Sequence, residues 1–128
     1  MCFSVCWAVE SSGQHFIGMH RNDIIDEMKS SHKSFQLNTT NVNPHYNYLK
    51  YEDHINEITI LYFLSDEDRC TLVRKMYDYS NINDVERELN EKYDKVGKNE
   101  WEYSHLLQRY SVSLTEGDWF FTVTIKKK

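Results

Sequence analysis

Ile58-Thr59-Ile60-Leu61-Tyr62-Phe63-Leu64-Ser65-Asp66-Glu67-Asp68-Arg69-Cys70-Thr71-Leu72-Val73 decides the fold. Its first seven residues are β-branched, aromatic or leucine and are apolar on both faces, the pattern of a central strand. The segment after Leu64 reads two ways. Ser65-Asp66-Glu67-Asp68 has the form of a helix-capping box, after which Leu72, Val73 and Met76 would form a helix face. Ser65–Arg69 equally fits a hairpin loop, because Cys70 through Tyr77 and Tyr79 is rich in strand formers. The hairpin is the favoured reading, and it makes an antiparallel sheet the scaffold of the chain.

Upstream, Tyr46, Tyr48, Leu49 and Tyr51 form a preceding strand, with a turn near Glu52–Asn56. Gln36 to Pro44 is polar and asparagine-rich and reads as a loop. Before it lies a short helix with Asn22 as cap, Asp23, Asp26 and Glu27 near its positive end, and Ile24, Ile25 and Met28 as a narrow apolar face.

Downstream, Ile82, Val85, Leu89, Tyr93 and Val96 keep the three-four spacing of one buried helical stripe. Ser80 or Asn81 caps this longer helix, and Gly97 supplies a left-handed stop. The chain closes with a hairpin. Tyr110, Val112 and Leu114 alternate with Ser111, Ser113 and Thr115, and Glu116-Gly117-Asp118 forms the turn. Trp119, Phe121, Val123 and Ile125 then share one face opposite Phe120, Thr122 and Thr124. No internal repeat is visible. The expectation is an α+β, two-layer fold: an antiparallel sheet of about five strands, with a short N-terminal helix and one long helix on one face, in the order helix-strand-hairpin-helix-hairpin.

The 128 residues suffice for one domain with its own core. Aromatic residues make up 14% of the chain, nine of them Tyr. Much of the core is therefore expected to be rings, each burying roughly 150–250 Å². The formal net charge of −5 disfavours nucleic acid as a partner, since phosphate recognition needs basic stripes. No apolar run reaches the roughly 20 residues that span a bilayer as a helix. Lys126-Lys127-Lys128 reads as a solvated terminus.

The opening Met1-Cys2-Phe3-Ser4-Val5-Cys6-Trp7-Ala8 allows two readings. A charge-free run ending small-bulky-small resembles the end of an export signal with its cleavage site. The alternation of Phe3, Val5 and Trp7 also fits a buried first strand. With the export reading favoured, residues 1–8 are the end of a signal and 9–128 one α+β domain. Cys70 is then the lone thiol after cleavage, packing as a small hydrophobe or pairing between molecules.

Local motifs supply little chemistry. The histidines His15, His20, His32, His45, His54 and His105 lack the close helical spacing of a metal site, and no metal or cofactor is expected. Asp66, Glu67 and Asp68 lack the alternation and glycine of a calcium loop. Cys70 has no glycine elbow or local histidine, so no catalytic residue is assigned. The rings form the candidate binding surface. Tyr46, Tyr48 and Phe120 are expected on an exposed aromatic face of the sheet, because Tyr and Phe are enriched at protein interfaces.

Two likenesses accompany these patterns. Phe16-Ile17-Gly18-Met19-His20-Arg21-Asn22-Asp23-Ile24-Ile25 resembles the glycine-plus-short-helix opening of small two-layer exported proteins. Among these are the outer-membrane-assembly small lipoproteins and the beta-lactamase-inhibitor-like fold. Tyr62-Phe63-Leu64-Ser65-Asp66, Leu89-Asn90-Glu91-Lys92-Tyr93 and Trp119-Phe120-Phe121-Thr122-Val123 resemble uncharacterised small exported proteins of Gram-negative anaerobic bacteria. The resemblance implies export to the periplasm or cell surface and a two-layer layout; it implies no site residues. The functional expectation is a non-enzymatic exported interaction or scaffold module, whose partner is another envelope or extracellular protein or a second copy of itself. The alternative is a small-ligand-binding or hydrolytic protein whose site is assembled only in three dimensions.

Overall fold

The computed structural model describes residues 14–38 and 47–128. The readings of residues 1–8, both as a signal end and as a strand, and the expected surface residue Tyr46 lie outside the described residues. A 3-10 turn at Gln14–Phe16 leads into α1 (Arg21–Ser31), then β1 (Gln36–Leu37), β2 (Tyr48–Asp53), β3 (Ile58–Leu64) and β4 (Cys70–Asp78). A second 3-10 turn at Tyr79–Asn81 leads into α2 (Ile82–Lys92), followed by β5 (Asp94–Gly97), β6 (Glu100–His105), β7 (Gln108–Glu116) and β8 (Phe120–Lys127). The strands form one antiparallel sheet in the order β1-β2-β3-β4-β8-β7-β6-β5. The fold is α+β, and among the described residues no helix is long and apolar enough to cross a membrane.

The hairpin reading of Ser65–Arg69 holds, for a visible reason. The Ser65 hydroxyl, which would cap a helix, accepts instead from the backbone N–H groups of Glu67 and Arg69 inside the loop. Asp68 takes a left-handed φ of 61°, a conformation that aspartate tolerates better than most residues. The chain then returns as β4, opposite β3.

The strand count is eight among the described residues, where about five were expected. β1 has two residues, too few to alternate, and falls in the asparagine-rich stretch read as a loop. β5 consumes the expected end of the long helix. α2 stops at Lys92; Tyr93 is extended (φ −126°, ψ 161°), while its N–H still closes the last helical bond to the Leu89 carbonyl. Val85 and Leu89 of the stripe are buried in the helix, Tyr93 is buried just beyond it, and Val96 is 54% exposed on the edge strand. Gly97 is not a left-handed stop; it sits at an irregularity of the β5–β6 register, and Asn99 takes the positive φ there. Both helices therefore have 11 residues. At the start of α1 the cap is His20, not Asn22: its Nδ1 accepts the Asn22 N–H at 3.1 Å. Trp119 also departs from expectation. It lies in the turn before β8 and is 85% exposed, while Phe121, Val123 and Ile125 are buried.

Antiparallel partners share a face, so the register sorts the sheet into rows. Leu49–Tyr62–Val73–Ile125–Val112–Trp101 runs across six strands, and every member is buried. The next row on the same face is Tyr51–Ile60–Lys75–Val123–Leu114, buried throughout, with a lysine at its centre. Both helices cover this face. The Tyr62 hydroxyl donates to Met28 Sδ of α1 at 3.2 Å, and Trp101 Nε1 donates to Asn90 Oδ1 of α2 at 2.9 Å.

The strand order reads identically from either end. Each half is one helix followed by four sequential antiparallel strands, and the halves join where β4 pairs with β8. The duplicated topology carries no visible repeat in sequence. A strand demands only period-two burial, which many residue combinations satisfy.

Candidate functional site

The face turned away from the helices is divided. Toward β7 and β8 it is polar, with Ser111, Ser113, Thr122 and Thr124 in the registered rows. Toward β2 and β3 it is mixed, with Lys50, Glu52 and Thr59 beside a local aromatic contact: Tyr48 packs on Phe63 with ring centroids 6.0 Å apart, and Arg74 lies over the Phe63 ring at 5.5 Å. Tyr48 is half-buried in that cluster. Phe120 shares the face but pairs with Asp78 at the far end of β4, whereas Tyr48 lies in the row of Phe63 and Leu72. The two rings thus occupy opposite ends of the sheet.

Phe120 has a different neighbour, Trp119. Together with Met76 they line an open groove of about 400 Å³, whose other wall is the β2–β3 turn. Phe120 is 43% and Trp119 85% exposed. Glu52, Glu57 and Asp78 line the same groove. Asp78 is held below the usual carboxylate range by hydrogen bonds from the Ser80 side chain and backbone, so the groove keeps its negative charge. Asp53 anchors the turn beneath. Its carboxylate accepts from the N–H groups of Ile55 and Asn56 and from the Asn56 side chain, at 2.8–3.1 Å.

The opposite, helix-covered side holds a second opening. A cavity of about 370 Å³ lies between the C-terminal end of α1 and the first turns of α2. Ile58, Ile60 and Tyr77 contribute from the sheet, and Phe16 and Phe35 contribute rings. Asp84 and Glu88 reach it from α2. Lys75 is among the residues that line it and is 7% exposed. Among the described residues, Asp53 and Lys75 are the buried polar or charged ones. Burial lowers the Lys75 ammonium to about 8; the charge of Glu88 opposes the shift and that of Lys92 adds to it. The volume falls within the range of small-molecule sites, which pair apolar walls with a few polar groups.

Lys75 was legible in principle. With Val73 and Tyr77 as inward residues of β4, alternation puts residue 75 on the same face, and a lysine there is out of pattern. The groove at Trp119 depended on a turn bringing two distant loops together, which no local pattern signals.

Cys70 is 2% exposed, and burial pushes its thiol up to about 11, opposite to the activation a nucleophile needs. Among the described residues, no three His, Cys, Asp or Glu side chains are grouped to hold a metal ion.

No family model, curated protein or solved structure matches the chain.

Proposed function

We propose that the protein is an exported, non-enzymatic interaction module that binds another envelope or extracellular protein through the sheet end carrying Trp119 and Phe120. One observation carries this reading: two large adjacent rings stand in water at the mouth of an acidic groove. Tryptophan dominates interface energetics when a partner desolvates it, and exposed apolar clusters of this kind mark contact sites. Glu52, Glu57 and Asp78 favour a partner that presents basic residues beside an apolar anchor. Tyr48 belongs to the same face and would extend a large footprint, although its packing on Phe63 makes it the weaker contributor. Export is supported by the charge-free segment Cys2–Ala8 with its small-bulky-small ending.

The test is quantitative capture from the native envelope by wild-type protein and by the Trp119→Ser/Phe120→Ser double variant. A partner retained by wild type, released as salt rises and lost at least tenfold in the variant supports the proposal. Identical captured sets would overturn it. So would a variant that differs from wild type only in its own oligomeric state, which would assign the rings to self-association.

A further inference from the structure

The cavity between α1 and α2 points to chemistry independent of the outer face. Asp84 and Glu88 repel an anionic ligand, while a cationic one would place a second positive charge beside Lys75. A neutral, largely apolar molecule fits best, and the rings of Phe16, Phe35 and Tyr77 suit a flat one. The sheet residues that line it carry two phenol hydroxyls, on Tyr62 and Tyr77, and one primary amine, on Lys75, and of these the amine is the group that adds reversibly to a carbonyl. We propose that this cavity takes up small apolar aldehydes or ketones and that Lys75 Nζ holds their carbonyl carbon as a reversible imine.

The groups around the amine suit this step. Glu88 and Lys92 of α2 act on it electrostatically, Asp84 and His32 share the cavity, and Tyr62 and Tyr77 flank it on the sheet. Burial holds both tyrosine hydroxyls protonated far beyond neutral pH. The lone pair of neutral Lys75 Nζ forms a C–N bond to the carbonyl carbon as the carbonyl π pair moves to oxygen. Both amine protons then leave with that oxygen as water, giving the C=N bond. No oxidant or reductant is consumed, and water reverses the reaction. Desolvated lysines in apolar pockets are the amines that perform this addition near neutral pH.

The experiment exposes folded protein briefly to benzaldehyde and sodium cyanoborohydride, which reduces any imine to a stable amine, and locates adducts by peptide mass mapping. Lys75 is expected to label at least about tenfold faster than the surface lysines, with a rate that climbs toward pH 8. Benzyl alcohol, which has the ring but no carbonyl, should slow labelling at Lys75 alone. Val85→Trp, which places a ring in the cavity, should do the same. If Lys75 stays unmodified while surface lysines react, the proposal fails. It also fails if benzyl alcohol leaves the Lys75 rate unchanged, a readout that needs no variant to fold.

Discussion

The indole N–H of Trp101 on β6 donates to the side-chain oxygen of Asn90 on α2, at 2.9 Å, and fastens the second helix to the sheet. Trp101 ends the longest buried row and is 1% exposed, while Lys95 of the edge strand lies over its ring at 5.7 Å. Trp101→Ala should cost about 3–5 kcal/mol, the range for deleting a large core ring. Asn90→Ala should cost only about 1 kcal/mol, because the exposed end of the pair can be replaced by water. Urea unfolding of both variants, read by circular dichroism, checks the ratio.

Lys75 gives the protein an unusual alkaline response. Its folded pKa of about 8 lies below the ordinary 10.5, so between these values the unfolded chain binds the extra proton. Stability therefore rises with pH through this window. Near pH 10 the slope reverses: burial keeps the Tyr62 and Tyr77 hydroxyls protonated when folded, whereas their unfolded counterparts ionise. Lys75→Met should flatten the rise above pH 8 and leave the fall above pH 10. Urea midpoints measured from pH 7 to 11 test both limbs.

Asp53 acts at the acid end. Burial by itself would raise its carboxyl, yet hydrogen bonds from Asn56, Ser34 and the Ile55 backbone together hold it below the usual value of 3.8. The carboxylate is covered by its own turn rather than lodged deep in the core. Its stabilisation is present above the ordinary pKa and disappears as pH falls through the lower folded value. Asp53→Asn should lose about 1–3 kcal/mol at pH 7, the penalty for disturbing a buried acceptor set. The difference from wild type should shrink below pH 3, as seen in acid titrations of stability.

Cys70 should be chemically silent in the folded state. Burial and the raised thiol predict negligible modification by iodoacetamide at pH 7–9, and rapid modification once urea unfolds the chain. Peptide mapping distinguishes it from Cys2 and Cys6. Fast labelling of the native thiol would revive a nucleophilic role.

The fold was legible where side-chain period and length agreed. Ile58–Leu64 reads as a strand and forms one, and the closing hairpin keeps its alternation from Tyr110 to Ile125 apart from Trp119. Legibility failed where one segment satisfied two periods. Tyr93 and Val96 continue the helical stripe, yet Asp94–Gly97 gains more as an edge strand beside β6, and Tyr93 is buried against Tyr103 with ring centroids 5.4 Å apart. Of the expected surface, Phe120 takes its place through strand alternation. Its partner in the groove is Trp119, whose inward assignment extended that alternation one residue too far.

The mirrored strand order has a consequence for incomplete chains. Among the described residues the outermost strands are β1 and β5, with two and four residues, while β4 and β8, with nine and eight, pair in the middle. A chain broken after the first helix-and-four-strand unit would reverse that arrangement, leaving its longest strand as a bare edge. Such an edge is a template for other strands. Truncated translation products or proteolytic halves should therefore polymerise or pair with one another through that edge, which the intact chain closes by pairing β4 with β8.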